Sequence, residues 1–228
     1  MKINAPYFKE KMRKDGYFKL PFIAEVAELR TQVIEVSKQL DAQGKVRHWR
    51  QEDAGDERTF FHPICLKASN ELFENIDELC SIYMEEESCV AVNMFNIVTA
   101  ANGHLGSGGG WHRDSFARQI KTFIYLNDVD ETNGPFCYVK GSHHLVDKIR
   151  YFSKADKNKK TRYTDSKHHE TFIKQAYQLT GVSGSILIAD TSGRHSGLPV
   201  KKGKRLALTQ YRYPKSSVEK MRKRFLSL

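Results

Sequence analysis

Four stretches of the chain are dense in β-branched and aromatic residues: CVAVNMFNIVTA (89–100), IKTFIYLNDV (120–129), SILIAD (185–190) and RLALTQYRY (205–213). Such runs suit the pleated surface of a sheet, and the Gly, Asn, Asp and Pro clusters between them let each strand fold back on another. All four lie beyond residue 88. Before it the periodicity is helical. Over residues 22–42, Val26, Leu29, Val33, Val36 and Leu40 recur at helical spacing and Gly44 follows as a stop. Near 68–85, Leu72, Ile76, Leu79 and Tyr83 share a second helical face. DGYFKLP (15–21) reads as a short strand or extended lead-in. Helices followed by antiparallel strands predict an α+β chain whose second part is a β-sandwich or barrel.

The expected organisation is a single domain over 1–228, since neither an internal repeat nor a low-complexity linker divides the chain. It comprises a helical support region (1–88), a strand-rich core (89–213) with an insert at 145–180, and a basic tail (214–228). With 39% hydrophobic and 28% charged residues, a folded globular protein is expected rather than a disordered one. No apolar run approaches the ~18 residues of a membrane span, and the first residues lack the apolar core of a signal peptide. A cytoplasmic location is the expectation. Cys65, Cys80, Cys89 and Cys137 show no CxxC spacing, so free thiols are expected rather than a zinc site or a disulfide framework. Lys and Arg outnumber Asp and Glu by 37 to 27. That excess attracts nucleic acid, anionic membrane or an acidic small molecule, and charge alone does not choose among them.

The chemistry is concentrated in GGGWHRDS (108–115). His112 and Asp114 are two apart, so on an extended backbone both side chains point to one face. A third ligand has to come from elsewhere, and ADTSGRHSG (189–197) offers His195. Two histidines and one carboxylate on one face of an iron(II) ion leave positions open for co-substrate and dioxygen. By itself HxD is a weak signal, equally compatible with a surface histidine beside a turn aspartate. Arg205 strengthens it. It follows His195 by ten residues, across the loop SGLPVKKGK, where an antiparallel hairpin would return a guanidinium toward the metal. Such a guanidinium grips carboxylates bidentately, as the far end of 2-oxoglutarate requires.

These segments resemble the phytanoyl-CoA dioxygenase group of iron(II)/2-oxoglutarate oxygenases. WHRD resembles its WHxD motif, KTFIYLNDVDETNGPFCYVKGSHH its strand–turn–strand block, and RHSGLPVKKGKRLALTQYRY its last histidine, spacer, arginine and closing strand. DGYFKLPF resembles its opening, whereas 45–88 and 145–180 match only loosely. The resemblance implies a double-stranded β-helix (a cupin-like jelly roll) with N-terminal helices packed on one sheet. It implies iron(II) held by His112, Asp114 and His195, with 2-oxoglutarate anchored by Arg205. Ser196 stands one position from where the family often offers a hydroxyl to the same carboxylate. Met94, with Asn96 two residues on, and Phe123 match positions lining the co-substrate, although core filling or backbone satisfaction would also explain all three. The implied reaction consumes dioxygen, releases succinate and CO2, and hydroxylates an unactivated C–H bond. Halogenases of the family replace the carboxylate ligand with a small residue, and Asp114 argues against that outcome.

His104, the pairs His143–His144 and His168–His169, and Trp111 are not expected as ligands. Trp111 either props His112 or packs the sheet, and His168–His169 could line the entrance. The insert residues Lys154, Lys157, Lys159, Lys160 and Arg162 read as a solvated loop, or as attraction for an anionic or carrier-linked small-molecule substrate. The tail KMRKRFLSL is a basic amphipathic end that could touch a membrane or another subunit. Two rival readings remain: a jelly-roll metal-dependent isomerase or lyase, which would have no use for Arg205, and a basic nucleic-acid-binding module. The second lacks both a helix-turn-helix and exposed aromatics interleaved with the charges.

Overall fold

The computed structural model describes residues 3–21, 25–63, 66, 70–101, 106–156 and 161–226. Asn4 caps the first helix, its Oδ1 accepting from the Tyr7 amide, and Gly16 ends it in the left-handed conformation. The elements in chain order are α1 (Ala5–Asp15), β1 (Tyr17–Lys19), α2 (Ala27–Ala42), β2 (Arg47–Gln51), β3 (Asp56–Phe61), α3 (Asn70–Met84), β4 (Ser88–Thr99), β5 (Trp111–His112), β6 (Ile120–Tyr125) and β7 (Phe136–Val139). They continue with α4 (Leu145–Phe152), β8 (Arg162–Tyr163), α5 (Ser166–Gln175), β9 (Ala176–Leu179), β10 (Ile186–Asp190), β11 (His195–Gly197), β12 (Lys204–Pro214) and α6 (Lys215–Leu226).

Two antiparallel sheets face each other in a jelly roll. The larger has the order β1-β10-β6-β12-β4-β3-β2 and the smaller β8-β5-β11-β7-β9. The four long strands expected from sequence all fall side by side in the larger sheet. Period-two alternation splits each of them between two environments. Ile124, Ile186, Ile188, Phe95, Leu206 and Leu208 point outward, where Phe8, Met12, Leu29, Val33, Ile76 and Leu79 of α1–α3 cover them. At roughly 1.5–3 kcal/mol for each buried large apolar side chain, this layer anchors the N-terminal helices to the sheet. The opposite face carries Tyr125, Leu187, Ala189 and Ala207, which meet Phe136, Tyr138 and Leu179 of the smaller sheet.

The support region is not wholly helical: β2 and β3 form a hairpin that extends the larger sheet beside β4. The insert contains α4 and α5. Trp111 packs the sheet rather than propping His112: it sits edge-on to Phe172 of α5 and donates through Nε1 to His169. His168 stacks on the same phenylalanine within α5 and sits edge-on to Tyr163 of β8, so the two histidines help hold α5 against the smaller sheet. His143 and His144 donate to the carbonyls of Arg13 and Lys14 at the end of α1. The basic tail turns back on its own chain. Val218, Met221, Phe225 and Leu226 of α6 pack against Phe60, Tyr211 and Tyr213, which accounts for the amphipathic pattern without a membrane or a second subunit. Cys80, Cys89 and Cys137 are free thiols. Cys65, His104, Lys157, Lys159 and Lys160 lie outside the described residues. No described helix is long and apolar enough to cross a membrane.

Candidate active site

The smaller sheet presents both histidines. His195 on β11 is the antiparallel partner of His112 on β5, so the imidazoles stand side by side with ring centroids 4.3 Å apart. Asp114 follows β5 two residues after His112 and its amide donates to the carbonyl of Thr191, which turns the carboxylate to the same side. Its oxygens lie 3.8 Å from His112 Nε2 and 3.7 Å from His195 Nε2. The three potential ligand atoms fall within 4.8 Å of one another. Each ring donates from Nδ1 to a backbone carbonyl, His112 to Gly110 at 2.8 Å and His195 to Gly193 at 3.0 Å. Those bonds place the proton on Nδ1 and leave the Nε2 lone pair aimed at the shared centre.

Electrostatics complete the ligand set. Burial and the neighbouring His195 push His112 well below the usual imidazole value, and burial lowers His195 to about 4 against the pull of Asp114. Both rings are therefore neutral near pH 7, and their approach to Asp114 is not an ion pair. Burial would raise the Asp114 carboxyl, but Lys121 overcomes it and holds the group well below the carboxylate range. Two neutral imidazoles and one carboxylate on one face are the donor set of a non-haem iron(II) site with open positions.

Opposite the histidines, the larger sheet supplies a floor in register. Lys121, Phe123 and Tyr125 of β6 pair with Tyr211, Thr209 and Ala207 of β12, which in turn oppose Val92, Met94 and Asn96 of β4. The row through Asn96 continues to Arg58 of β3 and Trp49 of β2. Between floor and histidines lies a cavity of about 210 Å³, with Arg205, Tyr125, Phe123 and Phe136 at the end away from Lys121. Arg205 is 4% exposed and donates to the Gly134 carbonyl. Among the described residues no carboxylate lies within ion-pair distance of it. A buried guanidinium without a counter-ion is costly, and it marks the position where an anionic ligand would be stabilised.

The family comparison meets this geometry directly. The family model for phytanoyl-CoA dioxygenase (PhyH) matches residues 12–204. The chain belongs to the phytanoyl-CoA dioxygenase family. Solved structures agree in fold. The epimerase SnoN from nogalamycin biosynthesis, in complex with Fe3+, alpha ketoglutarate and nogalamycin RO, superposes with a TM-score of 0.66 at 14% identity, covering 92% of this chain and 83% of that one. The carbocyclase SnoK from the same biosynthesis gives 0.65 at 17% identity, covering 94% and 87%. EctD from S. alaskensis with 2-oxoglutarate and 5-hydroxyectoine gives 0.62 at 16% identity, covering 94% and 77%. No curated protein sequence matches the chain.

Of the residues expected from sequence, His112, Asp114, His195, Arg205, Met94, Asn96 and Phe123 all line the cavity. Asn96, however, spends its amide on the protein: Nδ2 donates to Asp56 Oδ1 at 2.6 Å and to the Glu57 carbonyl at 3.1 Å. Ser196 does not line the cavity. Its fully buried hydroxyl donates to the Gly197 carbonyl, because alternation along β11 sends residue 196 away from the face that holds His195. Gly197 takes the inward position, where a Cβ would come within 2.8 Å of Arg205 Nη2 and 3.1 Å of Ser107 Oγ. Ser107, in the Gly-rich loop, is thus the serine that lines the cavity together with Arg205.

Three further features carry no signal in the linear sequence. Lys121 reaches Asp114 Oδ2 at 2.7 Å. Asp56 accepts from Arg58 Nη2 (2.6 Å), Asn96 and the Gly108 amide (3.0 Å). Gly108 is in the left-handed region, and a Cβ there would lie 2.8 Å from His112 Cε1, so the buried Asp56 pins the glycine loop against the first ligand. Finally, Arg113 and Arg194, each next to a ligand histidine, reach Asp147 of α4 at 2.5 and 2.7 Å.

Proposed function

We propose that the protein is an iron(II)- and 2-oxoglutarate-dependent dioxygenase that hydroxylates an unactivated C–H bond of a small molecule, releasing succinate and CO2. The observation that carries this reading is Arg205, buried with no carboxylate of the described residues in ion-pair contact, across one cavity from two neutral histidines and a carboxylate. His112, Asp114 and His195 would hold the iron, and Arg205 with Ser107 would grip the distal carboxylate of 2-oxoglutarate. Bound there, iron and 2-oxoglutarate supply the activation of dioxygen that the side chains themselves lack. The protein's part is positioning. Gly110 and Gly193 fix the imidazole tautomers, Lys121 orients the Asp114 carboxylate, and Phe123 and Phe136 give the co-substrate dry walls. Asp114 supports hydroxylation over halogenation, since it occupies the position a halide would need.

Anaerobic titration of metal-free protein with iron(II) and then 2-oxoglutarate tests this, with the visible charge-transfer band of the chelate as readout. The band is expected in the parent, absent in His112→Ala, and shifted to far higher 2-oxoglutarate in Arg205→Ala. Folded, metal-bound protein without a band would sink the assignment in favour of a metal-dependent isomerase or lyase. Once a substrate is found, a product 16 mass units heavier, formed one-to-one with succinate, separates hydroxylation from an epimerisation or ring closure.

A further inference from the structure

A second, outer chamber of about 690 Å³ adjoins the cavity, sharing Trp49, Arg58, Asp114, Arg162 and Tyr211 with it. Its walls are the β2–β3 hairpin, the 115–119 segment after the metal motif, and α6. Charge on these walls is one-sided. Among the described residues Asp114 is the only carboxylate on them and is matched by Lys121, while Arg58 is matched by Asp56. That leaves Arg47, Arg118, Arg162, Lys220 and Arg224 facing the chamber, and none has a carboxylate within ion-pair distance among the described residues. Their visible partners are neutral: Arg47 donates to the Arg224 carbonyl, Arg118 to the Tyr83 carbonyl and Arg162 to the Gly108 carbonyl.

Resting on the reading above, we infer that this chamber binds the phosphate of an organic phosphate monoester and so sets the enzyme's substrate class. Four of the five cations without an ion pair are arginines, whose planar forks match phosphate oxygens bidentately. A dianion suits this excess better than a single carboxylate does. The rest of the lining is aromatic. Phe60, Tyr211 and Phe225 are packed ring on ring, and Trp49 lies over the Arg58 guanidinium at 4.4 Å while remaining 37% exposed. An apolar or planar body would lie along this wall with its phosphate toward Arg118 and α6. Its far end would then reach past Tyr211 to the open side of Asp114. The arrangement also gives α6 a purpose, since Lys220 and Arg224 project from the helix whose other face seals the larger sheet.

The test is calorimetric titration of the anaerobic iron(II)–2-oxoglutarate protein with phenyl phosphate, benzoate and phenol at about 0.15 M salt. Phenyl phosphate is expected to bind at least tenfold more tightly than either comparator. An Arg118→Gln/Arg224→Gln variant is expected to lose at least tenfold of that affinity while keeping the charge-transfer band. Equal binding of the three probes, or phenyl phosphate affinity untouched in that variant, would overturn the inference. Should the double variant fail to fold, Arg118→Lys and Arg224→Lys take its place. Each keeps the charge but loses the fork, and a loss of at least threefold is expected, with no loss counting against the site. Tighter retention of a single-stranded oligonucleotide than of phenyl phosphate would also overturn it. Arginine-dependent phosphate binding in protein that gives no charge-transfer band would leave this site standing while removing the oxygenase reading.

Discussion

Lys121 Nζ lies 2.7 Å from Asp114 Oδ2 and 4.1 Å over the ring of Tyr211, its direct partner on the neighbouring strand. Lys121 is 6% exposed, so its charge is stabilised by the carboxylate and the ring face rather than by water. In Lys121→Met the metal-free protein keeps a largely enclosed Asp114 without its nearest cation, and a loss of about 3 kcal/mol is expected. Bound metal replaces that counter-ion, so urea unfolding with saturating iron(II) should show a much smaller difference from the parent. Equal losses with and without metal would show that Lys121 acts by packing alone.

Arg205 and Ser107 both close on the space that the missing side chain of Gly197 leaves. Gly197→Ala puts a methyl 2.8 Å from Arg205 Nη2 and is expected to raise the 2-oxoglutarate needed for half the charge-transfer band by about tenfold, on the order of 1.4 kcal/mol. Ser107→Ala should move it in the same direction by a smaller factor, whereas Ser196→Ala should leave it unchanged. A shift in Ser196→Ala comparable to that in Ser107→Ala would return the hydroxyl to the position expected from sequence.

Asp147 is shared by Arg113 and Arg194, and it holds α4 against the strands of both histidines. Asp147→Asn leaves two buried guanidiniums facing a neutral group. A cost of about 3–5 kcal/mol, or roughly 10 °C in Tm for a chain of this length, is expected, together with faster proteolysis around residues 145–156. An unchanged Tm would mean that the backbone carbonyls of Ser142 and Ser192, which also accept from Arg113, suffice.

Acid should loosen the metal-free fold well before the carboxylates titrate. Burial lowers His143 and His195 to about 4 and holds His112 well below the ordinary imidazole value. The unfolded chain therefore takes up protons below about pH 6.5 while the folded chain does not. Stability is complete above that pH and falls toward pH 4, by up to about 1.4 kcal/mol per pH unit for each histidine. Urea midpoints between pH 7.5 and 5 check this, and His143→Gln should flatten the slope. A profile already flat in the parent would contradict neutral rings at His112, His143 and His195.

Much of this was readable before any coordinates. The long strands announce themselves because β4, β6, β10 and β12 each bury apolar residues on the helix-covered face, and α2 and α3 show their single buried stripe. The family motifs name His112, Asp114, His195 and Arg205, since the spacing within HxD and between histidine and arginine is local to one strand end and one hairpin. The smaller sheet was readable only at β7, as the second strand of the strand–turn–strand block, and at the extended backbone of His112–Asp114. Its strands are two to four residues long, too short for any periodicity to register, and the amphipathic tail gave no sign that its apolar side would fold back on Phe60, Tyr211 and Tyr213 of its own sheet.

What the sequence by itself determined is which groups could do the chemistry; what only the tertiary structure decided is which groups they answer to. Lys121 and Asp56 sit in runs with no motif, and they matter because strand pairing brings them to Asp114 and to the glycine loop from positions 7 and 52 residues away. Ser196 was the nearer residue in the chain, yet Ser107 is the one that lines the cavity with Arg205, since a one-residue step on a strand reverses the direction of a side chain. Adjacency along the chain fixes neither face nor partner. Both are set when two sheets close on each other and each buried charge has to find its counter-charge or a ligand.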